Sequence, residues 1–177
     1  MFRHRCCCAL VLCGLTGAGP VRAQLGHWWV GGGLIAPSGE YSTHDRAGWH
    51  ALIAFAPPGV NRGALGLRID ALYGRTPRKA SLQGNSQVFG LGAAVMAHPA
   101  RGAGMLPYVL AGVGYYELEE GGPGGISSPP INGIGIMGGA GISARMGRVR
   151  AFLEGRFIGG PVKHGVNFIP VSLGLSI

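Results

Sequence analysis

The chain has 177 residues, enough for one domain and short for two. Charged residues make up only 12% and hydrophobic ones 47%, yet no run of 18 apolar residues occurs, which excludes a helical membrane span. The formal charge of +8 is carried by basic residues standing singly or in pairs, with no basic stripe interleaved with aromatics, so a nucleic-acid partner is not expected.

The first two dozen residues read as a secretory signal. Arg3, His4 and Arg5 form a positive start, Cys6 to Leu15 an apolar stretch too short to span a bilayer, and Val21-Arg22-Ala23 a cleavage site of small-residue type. The domain organisation expected is a signal peptide over 1–23, cut after Ala23, and one β-barrel domain over 24–177. All four cysteines (Cys6, Cys7, Cys8 and Cys13) fall in the signal, so the mature chain has no disulfide and no thiolate metal site. Loss of Arg3, Arg5 and Arg22 leaves 12 basic residues against seven acidic ones, a net of +5.

Beyond Gln24 the dominant signal is alternation with period two. Its 35 glycines sit inside apolar segments without a collagen repeat, and glycine is a poor helix former. Taken in order, the predicted strands are Trp28 to Ala36, Trp49 to Ala56, Gly63 to Gly74, Gln87 to Ala97, Leu106 to Glu117, Gly133 to Arg145, Arg148 to Ile158, and Asn167 to Ile177. The third is the clearest. Leu65, Leu67, Ile69, Ala71 and Tyr73 share one face, and Gly66, Arg68, Asp70 and Gly74 the other, with Leu72 as the apolar exception. In the seventh, Val149, Ala151, Leu153 and Phe157 alternate with Arg148, Arg150, Glu154 and Arg156. Two segments leave their facing open, because Trp28-Trp29 and Tyr115-Tyr116 put bulky groups on both sides.

The connections alternate in length. Pro57 to Arg62, Pro99 to Gly104 and Met146-Gly147 are short. Pro37 to Ala47, Arg75 to Asn85, Glu119 to Asn132 and Gly159 to Gly165 are longer. Short periplasmic turns and longer outer loops are the topology of bacterial outer-membrane barrels, and an even strand count puts both termini on the periplasmic side. Eight strands enclose a lumen just wide enough for side chains to fill. The glycines and charges then face inward and the apolar faces meet lipid. Trp49, Tyr73 and Phe157 fall near the outer ends of their strands, and Phe55 and Trp28-Trp29 near the inner ends, as interfacial aromatic girdles require.

On this architecture the chain resembles the small outer-membrane β-barrel family typified by the OmpA transmembrane domain and OmpX. The resemblance implies an all-β, eight-stranded antiparallel up-and-down transmembrane barrel in the bacterial outer membrane. It also implies contact with outer-membrane lipids and lipopolysaccharide, and insertion by the barrel-assembly machinery. The last strand, Val171-Ser172-Leu173-Gly174-Leu175-Ser176-Ile177, alternates as that machinery requires but ends on Ile177, where the family usually has an aromatic.

Candidate sites are few. Gly31-Gly32-Gly33 and Gly121-Gly122-Pro123-Gly124-Gly125 lack the Gly-Lys-Ser/Thr ending and following helix of a phosphate loop. Arg68, Asp70, Arg150, Glu154 and Arg156 are expected to form an ion-pair network in the lumen, because buried charges must be paired. Arg75, Arg78 and Lys79 place three positive charges in one outer loop, suited to lipopolysaccharide phosphates. A hydrolase or acyltransferase acting on lipid A requires a histidine, a serine and a carboxylate near the outer rim. Ser42, His44, Asp45 and His50 lie in or just after the first outer loop and His164 in the last, and solvated loop residues are the competing explanation. The function expected is therefore non-enzymatic (structural, adhesive or envelope-stabilising), with no catalytic residue, cofactor or metal. The alternatives are a lipid A-modifying enzyme and a soluble secreted barrel binding a small apolar ligand.

Overall fold

The computed structural model describes residues 26–58, 64–79, 84–98, 104–122, 129–160 and 165–177. The expected signal segment 1–23, its expected cleavage site and His164 lie outside them. Eight strands follow one another around a closed antiparallel barrel: β1 His27–Ser38, β2 Gly48–Ala56, β3 Leu65–Pro77, β4 Asn85–Ala97, β5 Met105–Glu120, β6 Ile131–Met146, β7 Val149–Gly159 and β8 Asn167–Ser176. Closure is made by β1 pairing β8 in ten-residue register, from Trp29 opposite Ser176 to Ser38 opposite Asn167. Closure leaves no edge strand with unpaired backbone groups, which hydrocarbon would not tolerate.

The alternation fixes which way each strand faces. Trp49, Ile53, Leu65, Ile69, Leu91, Val113, Leu153 and Leu173 stand on the exposed outer surface. A soluble ligand-binding barrel needs the opposite facing. At the loop end Trp49 packs on Tyr73 at 5.7 Å between ring centroids, with Phe89, Tyr115 and Phe157 exposed nearby along the strands. At the end carrying both termini Trp28 packs on Phe55 at 4.8 Å. The two pairs that sequence left open are resolved: Trp28 and Tyr115 face out, Trp29 and Tyr116 face in.

The inner face explains the glycine content. Large inward side chains sit in register beside glycines of the neighbouring strands. Tyr116 of β5 lies between Gly90 of β4 and Gly135 of β6, and a Cβ added at those glycines would stand 2.7 and 2.9 Å from its ring. Tyr108 occupies the space left by Gly141 in the same way. Alternating large and small residues is how a narrow barrel fills its lumen at interior packing density.

Two features depart from the sequence expectation. β5 and β6 run to 16 residues each, roughly 50 Å at about 3.3 Å per residue, well past the bilayer core. The connection expected over Glu119 to Asn132 is correspondingly shorter. The first outer loop holds a short 3-10 helix, Gly39–Thr43, that no periodicity announced.

Candidate functional site

The lumen is stacked in three layers. The middle layer is a four-residue ion network between β3 and β7, which lie four strands apart and therefore on opposite walls. In each strand the two charged residues are separated by one position, so both point inward. Arg68 and Glu154 are wholly buried and meet as a two-pronged pair, Nη1 to Oε2 at 2.8 Å and Nη2 to Oε1 at 3.0 Å. Arg156 donates through Nε to Glu154 and through Nη1 to Asp70 Oδ2 at 3.0 Å. Asp70 also lies 3.5 Å from Arg68 Nε. Tyr108 donates its hydroxyl to Glu154 at 2.8 Å, and Trp29 lies under the Arg68 guanidinium at 5.2 Å. Two arginines and two carboxylates balance to zero, and Glu154 accepts from three different side chains.

The loop-end layer is apolar and capped by the first loop. Ile35, Val88, Leu118, Ile158 and Phe168 are buried there, and Tyr41 of the 3-10 helix packs edge-on to Phe168 at 5.6 Å. Burial pushes the Tyr41 hydroxyl well above its ordinary range, so it stays protonated. Asp45 anchors the same loop. It accepts from Thr76 at 2.6 Å, its backbone bridges to Arg78, and the Arg78 guanidinium lies 3.7 Å from it and 3.3 Å from Glu120.

The third layer, at the termini end, is a cavity of about 260 Å³ lined by Trp29, Met96, His98, Leu106, Arg150 and Ser176 among others. Burial, reinforced by the Arg150 charge, holds the His98 imidazole below its ordinary value, so it is neutral at pH 7.

Of the five inward charges singled out from sequence, four are brought together and Arg150 is not. It shares the inward face of β7 with Glu154, but four positions away, about 13 Å along a strand rising about 3.3 Å per residue. It opens instead into the termini-end cavity. In the candidate lipopolysaccharide contact, Arg78 is turned inward onto Asp45 and Glu120. Arg75 stands exposed on the outer surface of β3, opposite Trp49 and Gln87, and Lys79 is half-buried with its backbone bonded to His44. The residues considered for catalysis are dispersed. Ser42 donates to the Gly39 carbonyl at 2.7 Å, His44 pairs with Thr43, and Asp45 is taken by the loop anchor. His50 lies inside the lumen, where Nε2 meets Ser172 Oγ at 2.7 Å with both residues buried. The two flank Gly33 of β1 in register, and the missing side chain at Gly33 lets them meet across that strand. Sequence reasoning missed this pair because it depends on the β1–β8 closure.

A closed eight-stranded barrel with a greasy outside and a charged, filled inside is the fold of the small outer-membrane β-barrels. Solved structures agree. Neisserial surface protein A (NspA) superposes with a TM-score of 0.67 at 19% identity, over 86% of this chain and 96% of that one. The outer membrane enzyme PagL superposes with 0.54 at 14% identity, over 85% and 98%. Ail, the attachment invasion locus protein of Yersinia pestis, superposes with 0.50 at 11% identity, over 86% and 99%, in a complex with the heparin analogue sucrose octasulfate. No family model matches the chain, and no curated protein does.

Proposed function

We propose that this chain, after removal of residues 1–23, is a non-enzymatic integral barrel of the bacterial outer membrane with a structural or adhesive role. The observation that carries this reading is the combination of an apolar outer belt with a lumen closed by the Arg68–Glu154–Arg156–Asp70 network. Such a lumen offers no aqueous path, so the protein acts through its surfaces and its mere presence in the envelope. Of the three cations Arg75, Arg78 and Lys79, Arg75 and Lys79 remain available to lipopolysaccharide, since Arg78 is engaged internally. The alternating last strand supports insertion by the barrel-assembly machinery. Cell fractionation with heat-modified gel migration, followed by conductance in planar bilayers, tests the whole reading. A migration shift in the outer-membrane fraction without channel steps is expected. Soluble protein, or discrete channel openings, overturns it.

The fold shared with PagL makes lipid hydrolysis the second reading. The His50–Ser172 contact is the one histidine–serine pair with hydroxyl-activating geometry among the described residues, and it faces the lumen rather than lipid. An acyl chain in the membrane cannot reach that hydroxyl. An unchanged lipid A profile in cells expressing the wild-type chain and the Ser172→Ala variant supports the non-enzymatic reading. Deacylation lost in Ser172→Ala establishes the second.

A further inference from the structure

The termini-end cavity gathers donors that nothing in the protein satisfies. Trp29 Nε1 is buried without a partner in a side chain only 5% exposed. Arg150 Nη1 is likewise buried without a partner. Buried polar groups are normally paired, and these two donors border a cavity of about 260 Å³ with room for an outside partner.

Charge points the same way. Strand register puts Trp29, Ser176, Arg150 and Arg145 in one row across β1, β8, β7 and β6, with the two arginines directly opposite each other. Like charges in that position repel. No carboxylate side chain is near to relieve them. Of the seven acidic residues, Asp70 and Glu154 are held in the mid-lumen network, and Glu40, Asp45, Glu117, Glu119 and Glu120 belong to the loop end. The backbone oxygen of Ile177 accepts from the Trp28 N–H at 3.0 Å on the rim. Across the cavity from Trp29 and Arg150 stand Met96 and Leu106, beside His98 and Ser143.

We propose that this cavity binds an oxyanion of the phosphate class, gripped by Arg150 with Trp29 Nε1–H and Ser176, its substituent resting on Met96 and Leu106. A guanidinium fork matches two oxygens of such a group. Two sources share that chemistry: the phosphodiester of a phospholipid headgroup in the adjoining leaflet, and a free small phosphate. Only the lipid source rests on the membrane reading above.

The test is an NMR titration of the folded chain in nonionic detergent, following the Trp29 indole N–H (assigned by Trp29→Phe) and the Arg150 guanidinium. The probes are inorganic phosphate and dihexanoyl phosphatidylglycerol, with dihexanoyl glycerol as the uncharged control. A saturable shift of both signals is expected. In Arg150→Gln the affinity falls about tenfold or more, in Arg145→Gln a few-fold, and in Arg148→Gln, an exposed turn residue, not at all. Saturation by phosphate alone assigns a free anion, and saturation only by the phospholipid assigns the headgroup. Heat-modified migration of each variant confirms its barrel before titration. No saturable shift with either phosphate probe, an equal shift with the uncharged control, or undiminished affinity in Arg150→Gln overturns the proposal.

Discussion

The two ends of this lumen solve the same packing problem in opposite ways. At the loop end the large inward groups pack on one another and leave no comparable cavity among the described residues: Tyr41 seals Phe168, and Asp45 takes Thr76 and lies beside Arg78. At the termini end Arg145 lies opposite Arg150 in register, and the Trp29 indole and Arg150 guanidinium nitrogens stand unpartnered beside an open cavity. The same chain can fill a lumen completely, so the vacancy at one end reflects the residues placed there and not a limit of eight strands. Stability and binding are thereby separated along the barrel axis, with the β3–β7 network as the divide.

The largest effect should come from breaking the divide itself. Glu154→Gln leaves Arg68 and Arg156 underneutralised in a dry interior, a loss of about 3–5 kcal/mol measured by urea unfolding in lipid vesicles. Arg150→Gln, on the same face of the same strand, should change stability by less than about 0.5 kcal/mol or raise it, since it removes a repulsion. Equal losses in the two variants would erase the distinction between the layers. Packing provides the next contrast. Gly90→Val drives a side chain into the Tyr116 ring and should cost about 1–3 kcal/mol. Gly155→Ala, whose new methyl meets nothing within 4 Å, should be neutral. At the loop end, Asp45→Asn removes the charge that holds Arg78 and should weaken the loop anchor by about 2 kcal/mol. Faster protease cutting within residues 39–47 on intact cells, with an unchanged barrel, is the readout.

The smallest effect concerns protons. His98 faces Arg150 across the cavity, stacks on Tyr108 at 6.0 Å and hydrogen-bonds the Pro107 backbone. Its folded pKa lies below the ordinary 6.5, so the unfolded chain takes up a proton first. The stability contributed by neutral His98 is thus present above pH 6.5 and declines as pH falls from there through the folded value. An NMR titration of the imidazole should show a midpoint below 6.5 that moves upward in Arg150→Gln. A midpoint at or above 6.5 in the wild type would place His98 outside the field of Arg150.

Period-two alternation made much of this legible. It gave the eight strands, and it gave Arg68, Asp70, Glu154 and Arg156 a common side, because parity is local to a strand. Depth is not local. Arg150 has the right parity but lies near the start of β7, and only register against β6 and β8 shows that it faces Arg145 and Ser176 rather than Asp70. The docked first loop escaped for a different reason. Its seal depends on one ring, Tyr41, and one carboxylate, Asp45, in a segment too short to carry a period. The Trp28-Trp29 and Tyr115-Tyr116 doublets could be oriented only once a neighbouring glycine, such as Gly90, was known to leave room.

The diametric placement of the network has a consequence for assembly. Arg68 and Asp70 reach Glu154 and Arg156 only when the sheet has curved through half a turn, so the two cross-lumen bridges, Arg68–Glu154 and Asp70–Arg156, cannot form in a flat or partly wound ribbon. In such a ribbon two arginines and two carboxylates would meet hydrocarbon, at roughly 2–4 kcal/mol for each arginine near the bilayer midplane. Every open intermediate is therefore penalised by the same four side chains that lock the finished one. The charges at the centre of the lumen act as a proofreading step for ring closure, rejecting sheets that have not found the β1–β8 seam.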